Sequence, residues 1–401
     1  MSFPIKLFKF ARSKKEKRVA ILDIGSSSVG GAIVLLKEDG KPNVIYSTRK
    51  EIAFQDKLDF ERFFTLMLKT LKSVLVEMEK VAGGPPKSFF CLLSSPWYTS
   101  ATRIVNVSKD KPFTVTPQIV DMLIESEARA MSTAVGTNKK TGEEESEIMD
   151  IQNIQIKLNG YETSNPYDKS VRNIEIALFI SMSSKRVLDS VKKEIFKIFH
   201  SRHVRFSSFA LVALSTLRDI FTDKDDFLFM DVTGEVTDVS IIRNNVLMET
   251  ISFPLGKNFL TREAMKGLSA TPEEAMSMLT MYREGTSAAS TARRLESILS
   301  DARKKWLTFF ADSLRNLSRE LSVPNTVFLA ASQDIAWWFA KSIEKGKFDQ
   351  SVFAGDSLNV KLLDKKILSG FCDVNPRVKK DPFIMLEAIF SNKTLRIGPE
   401  K

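Results

Sequence analysis

Two aspartates, Asp23 and Asp231, each end an apolar segment and are followed directly by a turn of small residues. Around Asp23 the chain reads Val-Ala-Ile-Leu-Asp-Ile-Gly-Ser-Ser-Ser-Val, and around Asp231 it reads Phe-Leu-Phe-Met-Asp-Val-Thr-Gly-Glu-Val-Thr. An apolar segment rich in β-branched residues follows each turn, so each copy predicts a strand, a tight turn and a second strand. The copies lie about half a chain length apart, which indicates an internal duplication.

Turns of this composition suit the binding of phosphate groups. Their backbone N–H groups donate to anionic oxygens, and glycine lets a ligand approach the backbone closely. Neighbouring carboxylates hold hydrated Mg²⁺, which keeps several waters and takes one or two protein carboxylates. We therefore predict phosphate contacts from Gly25, Ser26, Ser27, Ser28, Thr233, Gly234 and Thr237, with Asp23 and Asp231 as metal ligands. Glu235, together with Asp231, is the candidate that orients an attacking water.

Several common kinds of site are excluded. The sequence has neither a Gly-x-x-x-x-Gly-Lys-Ser/Thr phosphate loop nor a Gly-x-Gly-x-x-Gly dinucleotide motif after a strand. Cys91 and Cys372 are the only cysteines, so no disulfide framework is expected and a reducing cytoplasmic setting fits. His200 and His203 are the only histidines and have no neighbours at ligand spacing, which excludes a histidine-based metal site and a Ser-His-Asp triad.

The positive charge is concentrated at the N-terminus. The net charge is +10, and residues 1–18 contain seven basic side chains against one acidic one. This distribution does not indicate a nucleic-acid-binding surface. On a helix, Phe3, Leu7 and Phe10 share one face, with Lys9 and Arg12 largely opposite, which suits an anionic membrane surface. A disordered, solvated tail is the alternative, and the sequence leaves both open. No segment predicts a membrane-spanning helix or a secretory signal.

The remaining segments predict two α/β lobes with an insertion in the first. A polar turn after each duplicated hairpin leads to a third strand, residues 44–52 and 246–253. An amphipathic helix over 60–78 and a buried strand over 88–93 follow the first copy. We expect these domains: a basic tail 1–18, the lobe 1 core 19–95, an inserted α+β subdomain 96–182, interlobe helices 183–225, and lobe 2 over 226–401 with a helical part near 262–322.

Three further signals place elements inside these domains. Strands are predicted over 151–158 and 174–182 of the insertion. The sequence Thr271-Pro272-Glu273-Glu274 is a capping box with proline at the first helical position, so a helix begins there. Residues 326–330 predict a short strand that runs into a small-residue turn.

The two aspartate turns resemble the phosphate-1 and phosphate-2 motifs of the actin-like ATPase superfamily. Residues 23–29 are close to the first motif of its bacterial FtsA and PilM branch, and residues 231–238 match the second more loosely. Other passages that resemble this branch are residues 251–261, 271–279 and 381–389. The insertion follows the first helix and strand, as in FtsA and PilM. The resemblance covers most of 19–395 and implies a two-lobed actin-like fold, a duplicated ribonuclease H-like α/β fold with an inserted α+β subdomain in lobe 1.

The resemblance implies ATP and Mg²⁺ as cofactors. It adds to the predicted site Gly256 in the strand-to-helix passage, and Ala330, Ala331 and Ser332 in the adenosine turn. That turn is usually rich in glycine, and alanine Cβ atoms crowd a nucleotide where glycine does not. The interlobe stretch 206–214 also lacks the acidic residue often found there. Whether ATP is hydrolysed, slowly or not at all, stays open.

The branch implies two related functions. The leading hypothesis is an FtsA-like scaffold at the cytoplasmic face of the membrane in bacterial cell division, which self-associates and recruits an FtsZ-like tubulin homologue. The alternative is a PilM-like cytoplasmic component of type IV pilus assembly, which binds a pilus inner-membrane protein through the inserted subdomain. A small-molecule kinase of the same superfamily ranks third, because no carboxylate base for an acceptor hydroxyl stands out.

Overall fold

A computed structural model describes residues 16–81, 83–136, 145–318, 322–348 and 357–397. This part of the chain forms three β-sheets of six, five and four strands. Three clusters of buried apolar side chains accompany the sheets. The predicted basic tail falls outside the described residues except for positions 16–18, which open the first strand.

The first lobe begins with a three-stranded meander and a helix. Its elements are β1 (Glu16–Ile24), β2 (Ser28–Lys37), β3 (Asn43–Glu51), α1 (Phe60–Glu79) and β4 (Ser88–Leu93). Gly40 turns the chain from β2 towards β3 with a φ of +128°, a conformation that glycine adopts readily. Asp59 caps α1 by accepting a hydrogen bond of 2.8 Å from the Arg62 N–H. The apolar face of α1 then packs into the core of this lobe.

The insertion forms a separate antiparallel sheet with one helix. Its elements are β5 (Thr99–Thr114), α2 (Pro117–Gly136), β6 (Ser146–Leu158), β7 (Tyr161–Glu162) and β8 (Ser170–Ser184), and the strand order is β5-β8-β6-β7. The two predicted strands correspond to β6 and β8. The sequence analysis did not identify β5. No residue of β5 is fully buried, so this strand lacks the alternation of apolar and polar residues that reveals a half-buried strand.

The chain then returns to the first lobe and crosses to the second. The connecting elements are α3 (Lys185–Phe199), β9 (His203–Ser208) and α4 (Phe209–Ile220). Strand β9 pairs in parallel with β4, which extends the first sheet. Helix α4 packs between the lobes, with the ring of Phe209 at 6.1 Å from that of Phe229.

The second lobe repeats the plan of the first. Its elements, with those that follow to the end of the described chain, are β10 (Phe227–Val232), β11 (Thr237–Arg243), β12 (Val246–Phe253), α5 (Lys257–Leu268), α6 (Pro272–Glu284), α7 (Ala289–Leu317), β13 (Thr326–Ala331), α8 (Ala336–Glu344), β14 (Asn359–Leu362), α9 (Lys365–Leu368), β15 (Asp373–Val374) and α10 (Pro382–Ile397). The capping box between Thr271 and Glu274 forms as predicted. Among the described helices, none has both the length and the apolar character needed to cross a membrane.

The two central sheets place the aspartates at equivalent positions. The first contains the order β3-β2-β1-β4 and the second the order β12-β11-β10-β13. Asp23 lies between Gly30 of β2 and Leu92 of β4. Asp231 lies between Asp238 of β11 and Ala330 of β13. Each aspartate is the second-last residue of its strand, and each strand has a parallel neighbour on one side. Both aspartates therefore lie near the carboxyl ends of parallel strands, where ligands of α/β sheets bind.

The last part of the chain does not follow the predicted domain boundaries. Residues 226–401 were assigned to the second lobe, but β15 pairs in parallel with β3 of the first sheet. Helix α10 also buries Ile384, Met385 and Leu386 in the core of the first lobe. The physical reason is that α10 covers an apolar face of the first sheet, which no local feature of the sequence indicates.

Candidate nucleotide-binding site

A cleft of about 360 Å³ opens between the two lobes beside the ends of β1 and β10. Predicted site residues that line it are Asp23, Gly25, Ser26, Ser27, Ser28, Asp231, Thr233 and Ser332. Lining residues that the sequence analysis did not single out include Arg49, Lys257, Asp334, Asp381 and Phe383. The duplicated hairpins thus bring both aspartates and parts of both turns to a single cleft.

The first turn is held from three sides. The Gly25 N–H donates to the Ser28 carbonyl at 3.1 Å, and the Trp97 indole N–H donates to the Gly25 carbonyl at 2.8 Å. The Ile52 N–H donates to the Ser27 carbonyl at 2.7 Å. Within the described residues, the N–H groups of Ser26 and Ser27 donate no hydrogen bond. They are therefore available to an anionic oxygen, as in other small-residue turns that bind phosphate.

The second turn is fixed by the start of α5. The N–H groups of Lys257 and Asn258 donate to the carbonyls of Thr233 and Gly234 at 2.9 and 2.7 Å. A Cβ atom on Gly256 would lie 2.5 Å from the Thr233 carbonyl oxygen. Gly256 is therefore needed for the close approach of α5 to the turn. It does not line the cleft, and a direct contact with nucleotide stays a prediction.

The two turns touch each other across the cleft. The Ser26 hydroxyl donates to the Thr233 hydroxyl at 2.8 Å and accepts from the Glu235 N–H at 2.9 Å. A Cβ atom on Gly234 would lie 2.5 Å from the Ser27 nitrogen. The turns are therefore in direct van der Waals contact as well as hydrogen-bonded, and this conformation closes one end of the cleft.

Asp23 is already paired with a cation. The Arg49 Nη2 atom lies 2.6 Å from Asp23 Oδ2, and Arg49 Nε lies 2.7 Å from Asp381 Oδ2. Burial raises the pKa of Asp23, and the charge of Arg49 opposes that increase. Burial lowers the pKa of Arg49, but the charges of Asp381 and Asp23 outweigh it and raise that pKa above its usual value. Arg49 stays charged, so Asp23 has its counter-ion within the protein.

Asp231 has no such partner. Its side chain is buried, and Oδ1 makes no hydrogen bond to the residues that the structure describes. Burial raises the pKa of Asp231 well above its usual value, and the nearby charges of Asp238 and Asp23 raise it further. Asp238 is itself held by the hydroxyls of Ser95 and Ser252 at 2.7 and 2.6 Å. Asp231 is thus the one of the two predicted metal ligands that keeps a free buried oxygen.

Glu235 faces away from the cleft. Its carboxylate accepts two hydrogen bonds of 2.8 Å from Arg262 and one of 2.7 Å from the Asn258 amide. Arg262 also donates to the Gln55 carbonyl of the first lobe at 3.0 Å. In this conformation Glu235 anchors an interlobe contact, and its role in orienting a water stays a prediction.

The adenosine turn reaches the cleft only in part. Ser332 and Asp334 line the cleft. Asp334 forms an ion pair with Lys257, with 3.0 Å between Asp334 Oδ2 and Lys257 Nζ. Burial opposes ionisation of Asp334, but Lys257 lowers the Asp334 pKa below its usual value. Ala330 and Ala331 belong to β13 and do not line the cleft. Nor does Thr237, whose hydroxyl donates to the Leu255 carbonyl at 2.8 Å.

The residues fit a nucleotide better than they fit a divalent cation. The cleft offers free backbone N–H groups and the cations Arg49 and Lys257. Asp23, by contrast, is occupied by Arg49. Asp23 is therefore not free to hold Mg²⁺ in this arrangement.

Comparison with solved structures identifies the fold. No protein-family model and no curated protein matches the sequence. The structure is similar to a chain of a PilM–PilN type IV pilus biogenesis complex, with a TM-score of 0.59 and 12% identity over 95% of this chain and 99% of that one. Weaker similarities are to the ethanolamine utilization protein EutJ from Carboxydothermus hydrogenoformans, with a TM-score of 0.44 and 10% identity over 94% and 89% of the two chains. A protein of actin-like ATPase fold and unknown function from Bacteroides thetaiotaomicron gives 0.43 and 10% over 96% and 99%.

The chain therefore has the two-lobed actin-like ATPase fold, as the two aspartate turns predicted. The similarity to the chain of the PilM–PilN complex extends over nearly the whole length of both chains.

Proposed function

We propose that this protein binds ATP in the interlobe cleft and serves as a scaffold whose partner binding depends on that nucleotide. The observation that carries the proposal is the convergence of two equivalent turns on one cleft, with the N–H groups of Ser26 and Ser27 directed to no acceptor among the described residues. Glu235 is held by Arg262, which favours binding without rapid turnover. Conformational closure around the nucleotide, rather than hydrolysis, would then supply the switch.

ATP binding is tested by blocking the cleft. Ser332 is partly exposed at the cleft wall, so Ser332→Trp should fold while filling the space. Isothermal titration with ATP should show at least a tenfold loss of affinity. The matched control is Ser290→Trp on the exposed start of α7, which should bind as the wild type does. Equal ATP affinity in both variants would remove the cleft as the nucleotide site.

We infer a PilM-type role in type IV pilus assembly as the first candidate. The similarity to a chain of the PilM–PilN complex extends through the insertion, and a second cavity of about 350 Å³ lies where the insertion meets the first lobe. Strand β9 is the edge strand of the first sheet on this side. Strand β6, which pairs with β8 in the sheet of the insertion, lies next to β9. Residues from both strands line the cavity, among them Ile148, Asp150, Val204, Arg205 and Phe206. Two strand edges with apolar and charged side chains suit an extended peptide that adds to a sheet.

The partner in this proposal is a short segment of a pilus inner-membrane protein. Arg205→Glu reverses a charge in the cavity wall and should abolish co-purification of that protein. Arg202→Glu changes an exposed residue nearby that lines no part of this cavity and serves as the control. Loss of the partner from both variants, or from neither, would contradict docking at this cavity.

An FtsA-type role in cell division is the second candidate. It is favoured by the hairpin between β6 and β7, whose Tyr161 is 80% exposed. An exposed aromatic side chain at a hairpin suits contact with another protein. This role predicts ATP-dependent self-association and capture of an FtsZ-like tubulin homologue. Sedimentation with and without ATP, and co-purification with such a homologue, separate it from the pilus role.

Both roles place the protein at the cytoplasmic face of the cell membrane. The basic tail 1–18 would add attraction to anionic lipid, each basic residue contributing about 1 kcal/mol near the surface. Flotation with vesicles of anionic phospholipid tests this for the full chain. A variant with Lys6, Lys9 and Arg12 changed to Glu should lose binding, and unchanged flotation would exclude the tail as the membrane contact.

A further inference from the structure

Arg49 lines the cleft next to the carboxylate of Asp23. It lies on β3, directly opposite Gly30 of β2. Its guanidinium group joins Asp23 at 2.6 Å, Asp381 at 2.7 Å and the Ser28 hydroxyl at 3.0 Å. Three donors of one guanidinium therefore have defined acceptors, which is the fixed geometry that arginine provides and lysine does not.

The surrounding backbone leaves space for this guanidinium. A Cβ atom on Gly30 would lie 2.8 Å from Arg49 Nη2, so any side chain at position 30 would collide with it. Phe383 covers the other side, with its ring centre 5.5 Å from Arg49 Cζ. Asp381 is also the cap of α10, since its carboxylate accepts from the Phe383 N–H at 3.0 Å. Arg49 is thus held by the sheet below and by the closing helix beside it.

This placement competes with a metal ion for the same oxygens. Mg²⁺ binds carboxylate oxygens at about 2.0–2.1 Å and gives up its waters reluctantly. Asp23 Oδ2 already accepts a charge-assisted hydrogen bond from Arg49, and such bonds are about twice as strong as neutral ones. A divalent cation on this oxygen would have to displace a guanidinium that has two further acceptors.

We propose that Arg49 replaces the divalent cation of this site, so that the cleft binds a nucleoside triphosphate without a metal ion on Asp23. Arg49 lines the cleft between Asp23 and Asp381, and Lys257 lines it beside Asp334. The N–H groups of Ser26 and Ser27 supply donors. The part of this inference that concerns nucleotide rests on the proposed function, whereas the part that concerns the metal does not.

The metal part is tested first, with Mn²⁺ alone and no nucleotide. Electron paramagnetic resonance of Mn²⁺ added to the wild-type protein should show no bound ion that depends on Asp23, so wild type and Asp23→Asn should give the same spectrum. Arg49→Gln should gain a bound ion. Asp301→Asn, on the exposed face of α7, controls for loss of one surface carboxylate. A bound ion in the wild type that disappears in Asp23→Asn overturns the inference, and this comparison does not require the Arg49 variant to fold.

The nucleotide part is tested by titrating ATP in EDTA and in excess Mg²⁺. The affinities should agree within about twofold. A tenfold or greater requirement for Mg²⁺ overturns the inference and leaves the proposed ATP binding intact. Absence of ATP binding in both buffers overturns the proposed function and, with it, the nucleotide part of the inference. The two failures are therefore distinguishable.

Discussion

The hydroxyl of Ser26 accepts a hydrogen bond of 2.9 Å from the backbone N–H of Glu235, which joins the first turn of one lobe to the second turn of the other. The same hydroxyl donates to Thr233. The Ser26 side chain therefore holds the turns of the two lobes together.

Replacing Ser26 should loosen the closed cleft. Ser26→Ala removes both interlobe hydrogen bonds of this hydroxyl and leaves a buried N–H group unsatisfied, which costs about 1–3 kcal/mol of unfolding free energy. Urea denaturation measures the change. Ser27→Ala is the control, since no side-chain hydrogen bond of Ser27 occurs in the described structure, and it should alter stability by less than about 0.5 kcal/mol. If both changes lowered the unfolding free energy equally, the hydrogen bonds of the Ser26 hydroxyl would not be what stabilises the closed cleft.

The contact of Gly234 with the first turn predicts a steric effect. A Cβ atom at this position would lie 2.5 Å from a backbone nitrogen, so Gly234→Ala should cost about 1–3 kcal/mol, as overpacking does. Gly25→Ala is the matched control in the other turn, because its Cβ would meet only the Ser28 carbonyl oxygen at 3.4 Å. Thermal unfolding followed by circular dichroism compares them. If Gly234→Ala were as stable as the wild type, the turns could not be packed as described.

The pair of Glu235 and Arg262 should matter more for stability than the more exposed pair that joins Glu263 of α5 to Lys305 of α7. Arg262→Ala leaves the Glu235 carboxylate buried without its bidentate partner, and loss of one partner of a buried pair costs about 3–5 kcal/mol. Lys305→Ala breaks the exposed pair with Glu263 and should cost about 0–1 kcal/mol. Guanidinium chloride denaturation of both variants gives the comparison. A small effect of Arg262→Ala would show that Glu235 is free for another role.

Stability should depend on pH through Asp150, whose carboxylate accepts from the Ser207 hydroxyl at 2.7 Å. Burial raises its pKa from 3.8 to about 6, against the opposing effect of that hydrogen bond. A group with a raised folded-state pKa stabilises the fold below its unfolded pKa, and this contribution is lost as pH rises through the folded value. The contribution of Asp150 to the unfolding free energy of the protein should therefore fall by about 2–3 kcal/mol between about pH 4 and pH 8.

The Asp150→Asn variant isolates this contribution. The amide cannot ionise, so the variant should lose the decrease between about pH 4 and pH 8 that Asp150 causes. Asp189→Asn, on an exposed position of α3, should retain the wild-type profile. Urea denaturation across this range measures the difference. Identical profiles for wild type and Asp150→Asn would assign the pH dependence to other groups.

Local sequence signals predicted much of the architecture because they act over short distances. The small-residue turns after Asp23 and Asp231 form as paired hairpins in two sheets of the same order. The helix start at Thr271 depends on contacts between residues three apart. Strand β5 was not predicted because its side chains, none of which is fully buried, show no alternation of apolar and polar residues. Elements with a clear pattern of buried residues were predictable, and those without one were not.

What the sequence determined by itself was the duplicated plan: two aspartate-tipped hairpins, an insertion in the first half, and from these the actin-like fold. Only the tertiary structure decided which partners the charged side chains of the site have. It paired Asp23 with Arg49, turned Glu235 towards Arg262, and returned α10 to the first lobe. The reason is that a strand or turn follows from neighbours along the chain, whereas the partner of a buried charge depends on which distant segment packs within a few ångströms of it.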